Sequence, residues 1–229
     1  MLFKLIVATV PAELRTMFST NQATARRGAG SPPGFLVQTG GWELKNPNCA
    51  IVIAYWKNEQ SYAEFRAGLH DVLNEPTQRM HTGIEISTGH VITTVNQTDP
   101  KTAVTEAVAV RVTDCTLLPN CSPTFLAAQF SVWNPALAAA DGMLMATVSR
   151  LGRAPDRFGV ATFWKTDEAL QQYQETLLPR LQLQAKLREH IERLTAHRAR
   201  LEPPWSVVGT ADSAASSPDP GLDAQSGMP

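Results

Sequence analysis

A chain of 229 residues with 43% hydrophobic content can hold one large core or two small ones, domains commonly running to about 100–150 residues. A formal net charge of -1 and a pI near 6.5 exclude the basic footprint of a nucleic-acid binder. The longest apolar run, Ala50 to Trp56, is far short of the roughly 18 residues that a membrane-spanning helix needs.

Leu2 to Val10 is apolar and β-branched and ends at Pro11, a pattern that predicts a strand followed by a helix with proline at its opening. Its only early basic residue is Lys4 and no small-residue cleavage site precedes Pro11, so it reads as a strand of a cytoplasmic protein and not as an export signal. Ala12 to Arg27 carries a weak helical period through Leu14, Met17, Phe18 and Ala23. Gly28 to Pro33 is loop, and Phe35 to Trp42 and Ala50 to Trp56 are strands joined by the turn formers Lys45-Asn46-Pro47-Asn48. Asn58 to Ser61 opens a second helix with Tyr62, Phe65, Leu69 and Leu73 on one side, and Gly83 to Val95 has strand character. The order βαββαβ is that of a ferredoxin-like unit.

Shifting the chain by 108 residues lays Gly34 to Phe65 on Gly142 to Tyr173 with seven identities, among them Gly34/Gly142, Pro47/Pro155, Trp56/Trp164 and Lys57/Lys165. The chain therefore reads as a tandem duplication. Its second unit takes Ala107 to Val112 as first strand, Thr124 to Ala140 as first helix, and Pro204 to Val208, with Trp205, as last strand. The expected division is a first repeat over 1–96, a linker over 97–105, a second repeat over 106–209 and a disordered tail over 210–229. After Pro179 the spacing of Leu181, Leu183, Leu187, Ile191 and Leu194 predicts an extra helix, over 180–201, with a charged outer face that places His190 and His197 on the surface. A four-stranded sheet covered on one side leaves an apolar face, and two linked units bury that face against each other at an effective concentration of about millimolar. The expected fold class is α+β: tandem ferredoxin-like (βαββαβ) repeats forming an intramolecular pseudo-dimeric α+β barrel.

The stretch GFLVQTGGW from Gly34, the stretch AIVIAYWKNEQSYAEF from Ala50 and the pair His70-Asp71 together resemble the YdbC-like proteins of the antibiotic-biosynthesis-monooxygenase-like, or dimeric α+β barrel, superfamily. The resemblance covers roughly residues 1–95 well and the second half more faintly. It implies ferredoxin-like units paired through their sheets, and a range of chemistry that includes cofactor-independent monooxygenases, haem-degrading enzymes, isomerases and dehalogenases. The haem-degrading pattern, with an Asn on the first strand and a Trp within the second helix, is not met. Ala8 and Thr9 stand on the first strand, and Trp56 precedes the helix.

Strand alternation puts Gln38, Gly40 and Trp42 on one face, and Phe35, Val37, Thr39 and Gly41 on the other. Glycine in a strand marks a bend, or a place where another backbone or a ligand comes close. In one reading Gly40 opens a gap for a flat organic molecule between the Gln38 amide and the Trp42 indole. In the other the glycines bend the sheet and Trp42 fills a core. The second copy replaces Gln38, Gly40, Gly41, Trp42 and His70 by Ala146, Val148, Ser149, Arg150 and Leu178, which favours a function for the first set, while the shared Trp56/Trp164 pair reads as packing. His70 is either a helix-end cation or a proton-transfer group.

The candidate set is thus His70 as catalytic residue, with Gln38, Gly40, Trp42 and Trp56 as ligand-binding residues. Cys49, Cys115 and Cys121 read as reduced thiols, the histidines form no close ligand pair, and neither a metal nor another cofactor is expected. The expected partner is a small, largely apolar organic molecule, oxidised or isomerised without a metal. Nucleic acid and membrane are not expected, and assembly into a homo-oligomer is left open. The competing reading is a non-catalytic scaffold or oligomerisation module of the same fold.

Overall fold

The computed structural model describes residues 1–24, 32–68, 80–96 and 99–210. Strand β1 (Leu2–Thr9) stops before Pro11 and leads through a 3-10 turn into α1 (Arg15–Thr24). β2 (Phe35–Glu43) and β3 (Cys49–Trp56) form a hairpin, in whose turn the Asn46 side chain accepts from the Asn48 amide at 3.2 Å. Asn58 caps α2 (Glu59–Gly68) by accepting from the Ser61 amide at 2.8 Å, and β4 (Gly83–Asn96) follows. The stretch expected as a linker holds a short helix, α3 (Pro100–Glu106), capped by Asp99. The second half begins with β5 (Ala109–Leu117), then α4 (Ser122–Ala128), a π turn (Gln129–Trp133) and α5 (Asn134–Ala138). It continues through β6 (Met143–Leu151), β7 (Arg157–Trp164), α6 (Asp167–Gln172), a second π turn (Tyr173–Leu177) and α7 (Leu178–Gln184). It ends in β8 (Ile191–Leu201) and a two-residue β9 (Val207–Val208).

The strands pair antiparallel in the order β3-β1-β4-β6-β7-β5-β8-β2, and β2 returns to β3. Eight strands thus close on themselves, which removes the free edges that an open sheet would expose. Phe3, Leu5, Ile51, Ile53, Val110, Val112 and Phe163 form the enclosed core, each at most 2% exposed. Ala103 and Val104 of α3 join it, and within it the Tyr55 and Thr147 hydroxyls meet at 2.8 Å across the two halves. Trp56 and Trp164 belong to separate clusters that pack with the helices.

The halves correspond in local detail. Gly34 and Gly142 both have φ of 73°, a conformation that strains any L side chain, and their carbonyls accept from the Lys57 and Lys165 amides at 2.7 and 2.8 Å. A β-bulge follows each, between Phe35 and Val37 and between Met143 and Met145. The first bulge turns Phe35 to the Trp56 side of the sheet, away from Val37, with which strict alternation had grouped it.

Two seams join the halves, β4 to β6 and β8 to β2, and each carries a glycine where backbones touch. A Cβ on Gly89 would collide with the Arg150 carbonyl, and one on Gly41 with the Arg200 carbonyl. Gly41→Ala is therefore expected to destabilise the protein by about 3 kcal/mol, because backbone rather than a flexible side chain must yield. Urea unfolding measures this against Gly68→Ala, where nothing lies within 4 Å and the midpoint should barely move.

The charged helix expected over 180–201 is in fact two elements. α7 stops at Gln184, Lys186 adopts a left-handed φ of 48°, and after a 3-10 turn the chain extends into β8. The strand prevails because it pairs with β5 on one side and β2 on the other, closing the sheet. Its residues also alternate: Ala199 and Leu201 enter the enclosed core, whereas Arg198 bonds to Gln174 and Arg200 to Asp167. His197 accordingly sits within the sheet's polar end beside Glu43, its side chain 15% exposed, and not on a solvated helix face. Residues 204–208, expected as the last strand, form a 3-10 turn and β9, while the second half's first strand starts at Ala109 and runs on to Leu117. Among the described residues no helix is long and apolar enough to cross a membrane.

Candidate ligand site

The space over Gly40 is occupied by Trp205. A Cβ at Gly40 would lie 3.0 Å from that ring and would collide with the Ile51 carbonyl. Trp205 is fully buried, donates from Nε1 to Ser19 Oγ at 2.9 Å, and packs against Trp42 and Phe18 at centroid separations of 5.4 and 5.7 Å. Arg15 stacks on Trp42 at 4.4 Å. Gln38, on the same strand face, is 1% exposed, and its Nε2 has no hydrogen-bond partner among the described residues. Trp56 sits in a different cluster, against Phe35, Tyr62 and Phe65. His70 lies outside the described residues. Gly40 and Trp42 are thus brought together, but around an indole from the chain's own C-terminal segment.

A cavity of about 40 Å³ lies in the second half, between β5, β7 and β8 and the two broken helices. Arg111, Thr113 and Cys115 line it from β5, and Val160 and Thr162 from β7. Gln129, Trp133 and Tyr173 enter from the two π turns, whose wider winding redirects side chains and recurs at functional sites. Phe125, Leu137, Leu178 and Leu187 complete an apolar wall, with Gln182 at its polar margin. By the measure that one water occupies about 10–15 Å³ of such space, the cavity admits a few waters or one small organic group.

Arg111 is the unusual member. It is 9% exposed, and among the described residues its side chain donates to Thr113 Oγ1 at 2.5 Å. Among the described residues no carboxylate pairs with it, and none lines the cavity. Burial lowers the Arg111 pKa, with Tyr173 and Cys115 acting the other way. Burial likewise raises the Tyr173 phenol and pushes the Cys115 thiol up to about 12, so both stay protonated at neutral pH. Gln129 is 4% exposed and its Oε1 finds no partner among the described residues. A buried cation usually comes with a counter-charge, since the cost of desolvating an ion is several kcal/mol. The cavity therefore offers one positive charge and proton donors, but no histidine or carboxylate to act as a base.

The site leaves no trace in the alignment of the two halves at a 108-residue shift because its arginine lies before the aligned block. Lys4 faces Ala54 in β1, and Arg111 faces Thr162 in β5, so the two cations occupy corresponding positions. The offset there is 107 residues, and a rigid shift of 108 slides past it.

A large antiparallel sheet in ferredoxin-like strand order, with helices packed on it, defines the fold class. Solved structures share it. A candidate monooxygenase of Lactobacillus acidophilus NCFM aligns at TM-score 0.66 and 16% identity over 90% of this chain and 98% of its own. A candidate monooxygenase of Fusobacterium nucleatum aligns at 0.70 and 8% identity over 87% and 91%, and an anthrone oxidase-like protein at 0.66 and 13% over 94% and 96%. At these identities the likeness is one of fold. In sequence, the family described as Domain of unknown function (DUF4937) matches residues 2–90, the half that does not hold the cavity. No curated protein matches the chain.

Proposed function

We propose that the protein is a tandem ferredoxin-like, pseudo-dimeric α+β barrel, akin to the YdbC-like and antibiotic-biosynthesis-monooxygenase-like proteins, that binds a small organic anion in its second-half cavity. The observation that carries this reading is Arg111, a buried cation without an acidic partner among the described residues, facing an apolar cavity. A ligand carboxylate, phenolate or enolate would supply the missing charge, Tyr173 and Gln182 would hydrogen-bond its polar edge, and Trp133, Phe125 and Leu137 would hold its apolar body.

The chemistry that suits such a site is cofactor-independent oxygenation or isomerisation, in which the substrate's own enolate or phenolate is the reactive species. Lacking a lining base, the site favours this anion by charge, lowering the substrate's own pKa beside Arg111. The solved relatives' names, monooxygenase and anthrone oxidase-like, agree with the proposal without carrying it. A pure scaffold would gain nothing from an unpaired buried charge, which weighs against the non-catalytic reading. The direct test is thermal unfolding with small carboxylates, from acetate to benzoate, and with their neutral amides. Carboxylates should raise Tm and the amides should not. Equal shifts, or none with either set, would overturn the anion reading.

A further inference from the structure

We propose that Glu43, Cys49 and His197 form a binding site for a divalent transition-metal ion, zinc by preference, where β2, β3 and β8 converge. The site is independent of the cavity beside Arg111 and departs from the expectation that no metal binds. Chain folding creates it. Glu43 ends β2 and Cys49 begins β3, so the hairpin sets them side by side, and Glu43 pairs with Ala199, two residues from His197 on the same face of β8.

One donor atom from each residue lies within 4.8 Å of the other two. Cys49 is 5% exposed, and the Glu43 and His197 side chains are 13% and 15% exposed, so three metal-ligating groups share a nearly dry pocket. Glu43 Oε1 and His197 Nδ1 are 3.3 Å apart, a long hydrogen bond. A charge-assisted hydrogen bond would draw them to about 2.7–2.9 Å. Two donors bound at about 2.0–2.1 Å to one tetrahedral ion are separated by roughly 3.3 Å, which is the spacing found.

The donor set selects the ion. Nitrogen, sulfur and carboxylate oxygen together suit zinc, cobalt or a similar borderline cation, whereas calcium and magnesium prefer oxygen alone. A cavity of about 50 Å³ adjoins His197, lined also by Leu5, Val7, Ser87 and Thr195 and by the charged Glu85, Asp114 and Arg193, while Glu43 and Cys49 lie off its wall. Three protein donors leave the fourth position of a tetrahedral zinc ion to an exogenous ligand such as water, the pattern that distinguishes reactive zinc sites from closed structural ones. Binding would release the Cys49 thiol proton to solvent and leave a thiolate on the metal.

Cobalt(II) is the probe, added to full-length protein stripped with a chelator. One equivalent should bring a sulfur-to-cobalt charge-transfer band in the near ultraviolet and the strong visible bands of a four-coordinate ion, both abolished by added zinc. Cys49→Ser should remove the charge-transfer band, and Glu43→Gln and His197→Ala should each weaken binding at least tenfold. Cys121→Ser, away from both sites, should leave the cobalt spectrum unchanged. Circular dichroism checks that each variant folds. The near-isosteric Glu43→Gln keeps the test decisive if Cys49→Ser does not fold, because zinc should then raise Tm in the parent protein and not in Glu43→Gln. Failure of the parent to take up cobalt, a charge-transfer band surviving Cys49→Ser, or an equal zinc shift in parent and Glu43→Gln would each overturn the proposal.

Discussion

Arg111→Met should weaken the binding of a small carboxylate about 30- to 100-fold while leaving the fold as stable as before, or more so. The first effect follows from losing a charge-assisted contact in a dry site, worth about 2–3 kcal/mol. The second follows because methionine fills the same volume without a charge to desolvate, and replacing buried ionic groups by apolar ones of similar size is often neutral or stabilising. The signs are what matter. An arginine whose purpose is to hold β5 against its helices would lose stability on replacement, through its bond to Thr113 and its packing. Calorimetric titration with benzoate and urea unfolding of the same two proteins give both numbers. Lower stability with unchanged affinity would assign Arg111 to structure and remove the basis for the functional proposal.

Trp205→Ala should cost about 3–5 kcal/mol, the range for emptying a fully buried aromatic site. For a protein of this size that corresponds to a fall in Tm on the order of 10 °C. The ring fills the space over Gly40, contacts Trp42 and Phe18, and bonds to Ser19, so its loss strips the cover from one half of the molecule. Protein that remains folded should keep its carboxylate affinity, because the cavity lies in the other half. A Tm within 2–3 °C of the parent, about 1 kcal/mol, would show that the three-ring cluster contributes little.

Much of the architecture was legible in the residues. The β2–β3 hairpin and the helix after Asn58 followed from alternation and turn formers, and the equal φ of Gly34 and Gly142 gives a physical reason for one of the identities between the halves. β8 was not legible, because Leu187, Ile191 and Leu194 fit a helical period as well as Thr195, His197, Ala199 and Leu201 fit a strand. Tertiary pairing decided between them, and pairing with residues 74 to 160 positions distant leaves no local mark. The difference between the halves at Gly40 and Trp42 was visible, but its cause was remote: Trp205 folds back on the first half. The cavity escaped notice because a single arginine in the run Ala109-Val-Arg-Val-Thr113 looks like a surface residue until the helices are placed over it.

Closing the ring through β8 and β2 has a temporal side. During synthesis, β2 emerges 158 residues ahead of the end of β8, an interval on the order of ten seconds at ribosomal speeds. Until then its outer edge has no neighbour and the indole that covers Gly40 has not been made. A nascent first half is thus a sheet with an open side and uncovered aromatic rings, the kind of surface that recruits chaperones or other copies of itself. The last contacts to form are those that make the earliest ones safe.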